Sequence, residues 1–103
     1  MKIIYSKLAV FDLKSIYDFI RKDLFPYAVK EVKSIRTVIN ALKSQPNIGK
    51  FFEIQNKETI RELVYKHYRI IYEITSDKIE ILSIHHSARL LENDSLFNDL
   101  DAE

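Results

Sequence analysis

The chain has no cysteine, and only one glycine and two prolines, among its 103 residues. Without cysteine there is no disulfide framework and no thiolate metal site, and the composition fits a reducing, cytoplasmic setting. So little glycine and proline leaves no low-complexity segment and little material for a long linker. No apolar run approaches the roughly 18 residues that cross a bilayer, so no membrane span is expected. The first residues, MKIIYSKLAVF, hold an apolar patch broken by Ser6 and Lys7, which does not read as a signal peptide. No two histidines stand four apart on a helix, so neither a metal nor any other cofactor is expected.

What is present suits one domain: 47% hydrophobic and 30% charged residues. The net charge of +1 hides an asymmetry. All 16 Lys and Arg lie at or before Arg89, while Glu92, Asp94, Asp99, Asp101 and Glu103 follow it. The division expected is a domain over residues 1–92 and an acidic tail over 93–103. A basic body suggests an anionic partner, either nucleic acid or an acidic protein segment.

Lys2–Tyr5 is β-branched and aromatic and predicts a strand. Ser6 is placed to cap a helix in which Ala9, Leu13, Ile16, Ile20 and Leu24 recur every three or four residues. Pro26 breaks that pattern and can open a second helix, striped by Ala28, Val32, Ile35, Ile39 and Leu42. A turn this short makes the two helices an antiparallel hairpin. Residues 47–57 read as a loop with Phe51 and Phe52 as an apolar anchor, and three strands follow at about 59–66, 67–75 and 78–86. In the middle strand Tyr68, Ile70, Tyr72 and Ile74 suit a helix-covered face, with Arg69, Ile71 and Glu73 opposite. Simple alternation in the last strand puts Ile79, Ile81 and Ser83 on one side and Glu80, Leu82 and Ile84 on the other. The expected fold is α+β: an N-terminal strand, then an antiparallel helical hairpin packed on one face of a small, mainly antiparallel sheet.

The first helix reads Ala9-x-x-Asp12-Leu13-x-x-Ile16-x-x-Phe19-Ile20. The sheet region reads Arg61, then Tyr68-Arg69-Ile70-Ile71-Tyr72, then Ile79-x-Ile81-Leu82-x-Ile84-x-His86-x-x-Arg89. In order, spacing and length, over roughly residues 2–92, these motifs resemble the ParE/RelE group of bacterial toxins. The closing H-x-x-R resembles the ParE branch. The resemblance implies the toxin of a type II toxin–antitoxin module, of the kind tied to plasmid stabilization and growth inhibition. It implies a cognate antitoxin as partner, in a toxin–antitoxin hetero-oligomer. ParE-like toxins poison DNA gyrase, whereas RelE-like toxins cut mRNA on the ribosome.

Metal-free RNA cleavage needs a base for the 2′-hydroxyl, cations on the phosphorane and an acid for the leaving oxygen. Arg61, Arg69 and Arg89 are candidates for phosphate, and His86, His85 or His67 for proton transfer. RelE-like nucleases, however, carry lysines near the positions of Ile60 and Glu62, and a tyrosine where this chain has Ser95. The resemblance thus favours a toxin that acts by binding, through Arg61, Arg69, His86 and Arg89, with gyrase as the leading target. The alternatives are a RelE-like nuclease using the same four residues, and a non-toxic relative that only binds a partner. Each residue also has a plain structural use: Arg61 and Arg69 as cross-strand partners of Glu62, Glu73 or Glu80, and His86 packed on Tyr72. Adjacent His85 and His86 point to opposite faces of a strand and cannot share a metal. The helices carry Lys14, Arg21, Lys22, Lys30, Lys33, Arg36 and Lys43 on their outer faces, a basic surface for an acidic antitoxin or a second copy.

Overall fold

A computed structural model describes residues 1–52 and 58–86. Strand β1 (Lys2–Tyr5) leads into helix α1 (Lys7–Arg21) and helix α2 (Phe25–Asn40), which ends in a 3-10 turn (Ala41–Lys43). Four strands follow: β2 (Lys50–Phe51), β3 (Ile60–Tyr65), β4 (Tyr68–Ile74) and β5 (Lys78–His86). They form one five-stranded sheet in the order β1-β5-β4-β3-β2. Among the described residues β1 pairs in parallel with β5, and the other strand pairs are antiparallel. The α+β architecture, the hairpin and the mainly antiparallel sheet agree with the sequence expectation. No described helix is long and apolar enough to cross a membrane.

The helices form where their apolar stripes meet the sheet. Ala9 and Ile16 from α1, and Ile35, Ile39 and Leu42 from α2 and its 3-10 extension, pack on Tyr68, Ile70, Tyr72, Ile79, Ile81 and Ile84. Burying each isoleucine or leucine of this set contributes about 1.5–3 kcal/mol before entropy is set against it. Leu24 departs from the expected stripe: it lies beyond the last turn of α1 and is 58% exposed. The Phe51–Phe52 anchor also differs. Phe51 belongs to β2 and is 64% exposed, with the Arg61 guanidinium 4.4 Å above its ring.

The last strand corrects the alternation. Tyr72 pairs with Ile81 but Ile71 pairs with Ser83, so Leu82 is an extra residue, a β-bulge. Beyond it every side chain changes face. Ser83 and His85 share the face of Ile71 and Arg69, while Ile84 and His86 join Ile70 and Tyr68 over the core.

Helix α1 holds the bulge in place. The Ser6 backbone N–H donates to the Ile81 carbonyl (2.9 Å), and the Ser6 hydroxyl donates to the Leu82 carbonyl (2.9 Å). The same hydroxyl oxygen accepts from the Ala9 N–H (3.0 Å), as an N-cap should. Two turns on, Asp12 Oδ2 accepts from the Ile84 N–H (2.9 Å). That N–H lies past the end of β1 and has no strand to pair with on that side. Asp12→Ala would leave it unmet, and we expect a loss of about 2 kcal/mol. Asp12→Asn, which keeps an acceptor, should recover much of it in a urea titration.

Candidate partner-binding surface

The arginines and histidines of interest are distributed by strand register. Arg69 lies on the outer face of β4, opposite the helices, and is exposed. Its cross-strand neighbours are Val64 on β3 and His85 on β5. Its Nη1 reaches Glu62 Oε2 at 3.4 Å, a long contact of an exposed guanidinium, worth little by itself. Ser83 Oγ is 3.4 Å from His85 Nε2 on the same face. Among the described residues, the part of the outer face around Arg69 thus carries an exposed guanidinium, an exposed imidazole, a hydroxyl and the buried Glu62 carboxylate.

Arg61 faces the other way, paired with Tyr72. Its Nη1 donates to the carbonyls of Asn47 (3.2 Å) and Gly49 (2.5 Å). The Tyr72 hydroxyl donates to the Pro46 carbonyl (2.7 Å) and accepts from the Gly49 N–H (2.9 Å). Arg61 and Tyr72 together fasten the Pro46–Gly49 loop to the sheet. The glutamates named as cross-strand partners, Glu62, Glu73 and Glu80, lie on the opposite face of the sheet from Arg61, and there Glu62 pairs with Arg69.

His86 lies on the helix side at the far end of β5. Its ring stacks on Tyr68, not Tyr72, with centroids 4.9 Å apart, and meets Phe19 edge-on at 5.6 Å. The register pairs it with Tyr68, four residues before Tyr72. Arg89 and the acidic tail lie outside the described residues. Arg69 and His85 therefore come together; Arg61 and His86 share a face but sit at opposite ends of it, and neither joins Arg69.

Sequence reasoning passed over Glu31. It lies in α2, only 3% exposed, where the Tyr68 hydroxyl donates to its Oε2 (3.0 Å) and Lys66 Nζ stands 3.6 Å from its Oε1. The signal was its spacing: position 31 falls between Ala28 and Ile35 on the buried stripe. Lys66 has a left-handed φ of 54° in the turn between β3 and β4. From there its ammonium reaches Glu31 and stands 5.3 Å from the Tyr65 ring centroid. Burial first, then the hydrogen bond to Glu31 and that carboxylate's charge, push the Tyr68 phenol well above its ordinary value.

The outer side of the hairpin is not closed. A groove of about 400 Å³ between α1 and α2 is lined by Tyr5, Val10, Leu13, Tyr17 and Val32, with Lys14 and Arg36 at its rim. Phe11, 64% exposed, and Leu8 continue the apolar surface of α1. All seven cations expected on the helices' outer faces are exposed. Two of them, Lys14 and Arg21, pair with Asp18, and Arg36 stands 5.9 Å over the Tyr5 ring.

Residues 3–91 match the profile of the ParE toxin of type II toxin-antitoxin systems, parDE. The chain belongs to this family. A solved structure of a chromosomal ParDE toxin-antitoxin system from P. aeruginosa is similar, at 24% identity and a TM-score of 0.71, over 84% of this chain and 95% of that one. The RelBE2 toxin-antitoxin complex from Mycobacterium tuberculosis is similar at 19% identity and a TM-score of 0.59, over 82% and 95% of the two chains. The YoeB dimer from Staphylococcus aureus follows at 17% and 0.53, over 81% and 92%. At these identities the solved structures show the shared fold. No curated protein sequence matches the chain. Asp12, in the helix-one motif Ala9-x-x-Asp12-Leu13, holds the last strand by accepting from a backbone N–H.

Proposed function

We propose that this ParE-family toxin arrests bacterial growth in the cytoplasm by binding and poisoning DNA gyrase, and that a cognate antitoxin neutralises it. The observation that carries the binding mode is the scatter of Arg61, Arg69 and His86. Cleaving RNA requires a base, an acid and a cation around one phosphate. Arg61 and Arg69 project from opposite faces of the sheet. Arg61 and His86 pair with β4 residues four apart, a separation of about 13 Å along the strand. Arg61 is also spent on two loop carbonyls, and His86 lies against Tyr68 and Phe19. Arg69 remains as an exposed guanidinium able to reach a partner. The antitoxin reading rests on family membership and on the open apolar groove of the hairpin, rimmed by Lys14 and Arg36, which suits an amphipathic acidic segment. A hetero-oligomer with that antitoxin follows.

The test is gyrase supercoiling with the purified full-length chain. Inhibition is expected, and Arg69→Ala should weaken it about 30-fold, the ~2 kcal/mol of a central interface arginine. Unimpaired supercoiling at saturating toxin rules gyrase out. One observation favours a second reading, ribosome-dependent mRNA cleavage: Arg69 and His85 are exposed cross-strand neighbours on the outer face, a cation beside a proton-transfer group. Codon-positioned mRNA 5′ ends after induction, lost in His85→Gln, would establish it. Harmless overexpression without any antitoxin would instead mark a binding relative without toxicity.

A further inference from the structure

A second groove, of about 460 Å³, runs along the outer flank of α2 to Tyr65 at the end of β3. Its floor is apolar, with Pro26, Val29, Val38 and Tyr65, and its rim carries Lys30 and Lys33. Both lysines are exposed, and no ion pair among the described residues involves either. The neighbouring acid, Glu31, is turned into the core toward Tyr68 and Lys66. The groove thus offers apolar surface beside two uncompensated positive charges.

The chain itself supplies a segment of the matching chemistry. Strand β5 ends at His86, whose ring stacks on Tyr68 at 4.9 Å, and Tyr68 stacks on Tyr65 at 6.5 Å. The exit of β5 is therefore two ring contacts from the head of the groove. Residues 87–103 follow, with Leu90, Leu91, Leu96, Phe97 and Leu100 among five acids, and no cation after Arg89. Extended, such a segment reaches up to about 60 Å. The 16-residue helix α2 is only about 24 Å long.

We propose that the acidic C-terminal segment, residues 90–103, docks in cis into the α2–Tyr65 groove. Its leucines and Phe97 meet Val29, Val38 and Tyr65, and its carboxylates meet Lys30 and Lys33. The tail then neutralises a basic patch of its own domain, and a partner for that patch must displace it. This does not depend on whether the target is gyrase or the ribosome.

The absence of cysteine makes the test direct. A nitroxide on a single cysteine introduced as Ala102→Cys in the full-length chain should broaden the backbone amide signals of Val29, Lys33 and Val38 at low salt. Broadening should fall at about 1 M salt, where charges are screened within roughly 3 Å. It should be lost in Lys30→Glu/Lys33→Glu and return when Asp99→Lys/Asp101→Lys is added, a swap that separates charge pairing from misfolding. Unbroadened groove amides at low salt would overturn the proposal. So would broadening confined to α1, broadening indifferent to the charge reversal, or broadening only between labelled and isotope-enriched molecules, which would mean a second copy occupies the groove.

Discussion

Gly49→Ala is expected to destabilise the protein by about 3 kcal/mol, read as a lower urea midpoint with an unchanged slope. A Cβ built there would stand 2.7 Å from the Tyr72 hydroxyl, 2.9 Å from the Glu62 carbonyl oxygen and 2.9 Å from Tyr72 Cε1. Neither neighbour can yield cheaply. Glu62 is main chain in the paired strand β3, and the Tyr72 ring is fully buried in the core. Overpacking of this kind costs about 1–3 kcal/mol. Displacing the Tyr72 hydroxyl adds the penalty of unmet partners at Pro46 and Gly49, about 1–3 kcal/mol more if they stay dry. Tyr72→Phe in the same background should relieve part of the clash, so the two changes should be less than additive. Additive losses would show that the loop, and not the ring, absorbs the new methyl group.

The second large effect is alkaline unfolding. Burial raises the phenols of both Tyr68 and Tyr72 above their ordinary value of 10.0. For Tyr68 the hydrogen bond to Glu31 and its charge add to burial; for Tyr72 the Gly49 N–H and the Arg61 charge partly oppose it. In the folded protein both phenols keep their protons after the unfolded chain has begun to lose them. Their contribution is complete below pH about 10 and is lost as the pH rises toward the folded values, by about 1.4 kcal/mol per pH unit for each proton. With both tyrosines, stability should fall between pH 10 and 11 by up to about 2 kcal/mol. Tyr68→Phe should make that fall shallower whatever it does to stability at neutral pH. A stability that stays level across that interval would mean the phenols ionise in place.

The fate of Arg61 shows how a sequence candidate changes meaning in three dimensions. An arginine at the start of a strand in a basic toxin-like chain reads as a phosphate ligand. The structure supplies a loop that ends in carbonyls and a phenylalanine ring beneath the guanidinium, and both lie far from Arg61 in its own strand pattern. The reading of Arg69 needed no such change, because period-two alternation already put it opposite Tyr68 and Tyr72. The candidate set was thus half legible. Residue types and strand membership could be read, but which side chains face one another depended on pairing.

The sequence by itself determined the order of elements, the α+β class and the family. Apolar periods of 3.6 and 2, a serine before the first helix and a proline at the second are local signals, and local signals survive without neighbours. It also determined the opposite charges of body and tail. Three matters waited for tertiary structure. The two-residue strand Lys50–Phe51 exists only because β3 offers it an edge. Glu31 is a buried acid because Tyr68 and Lys66 arrive from the β3–β4 turn to meet it. Above all, a single extra residue at Leu82, held by Ser6 and Asp12 from α1, decides that His85 faces outward and His86 inward. A bulge shifts every later side chain by one, and its cause lies more than 70 residues away in the chain, beyond the reach of any local pattern.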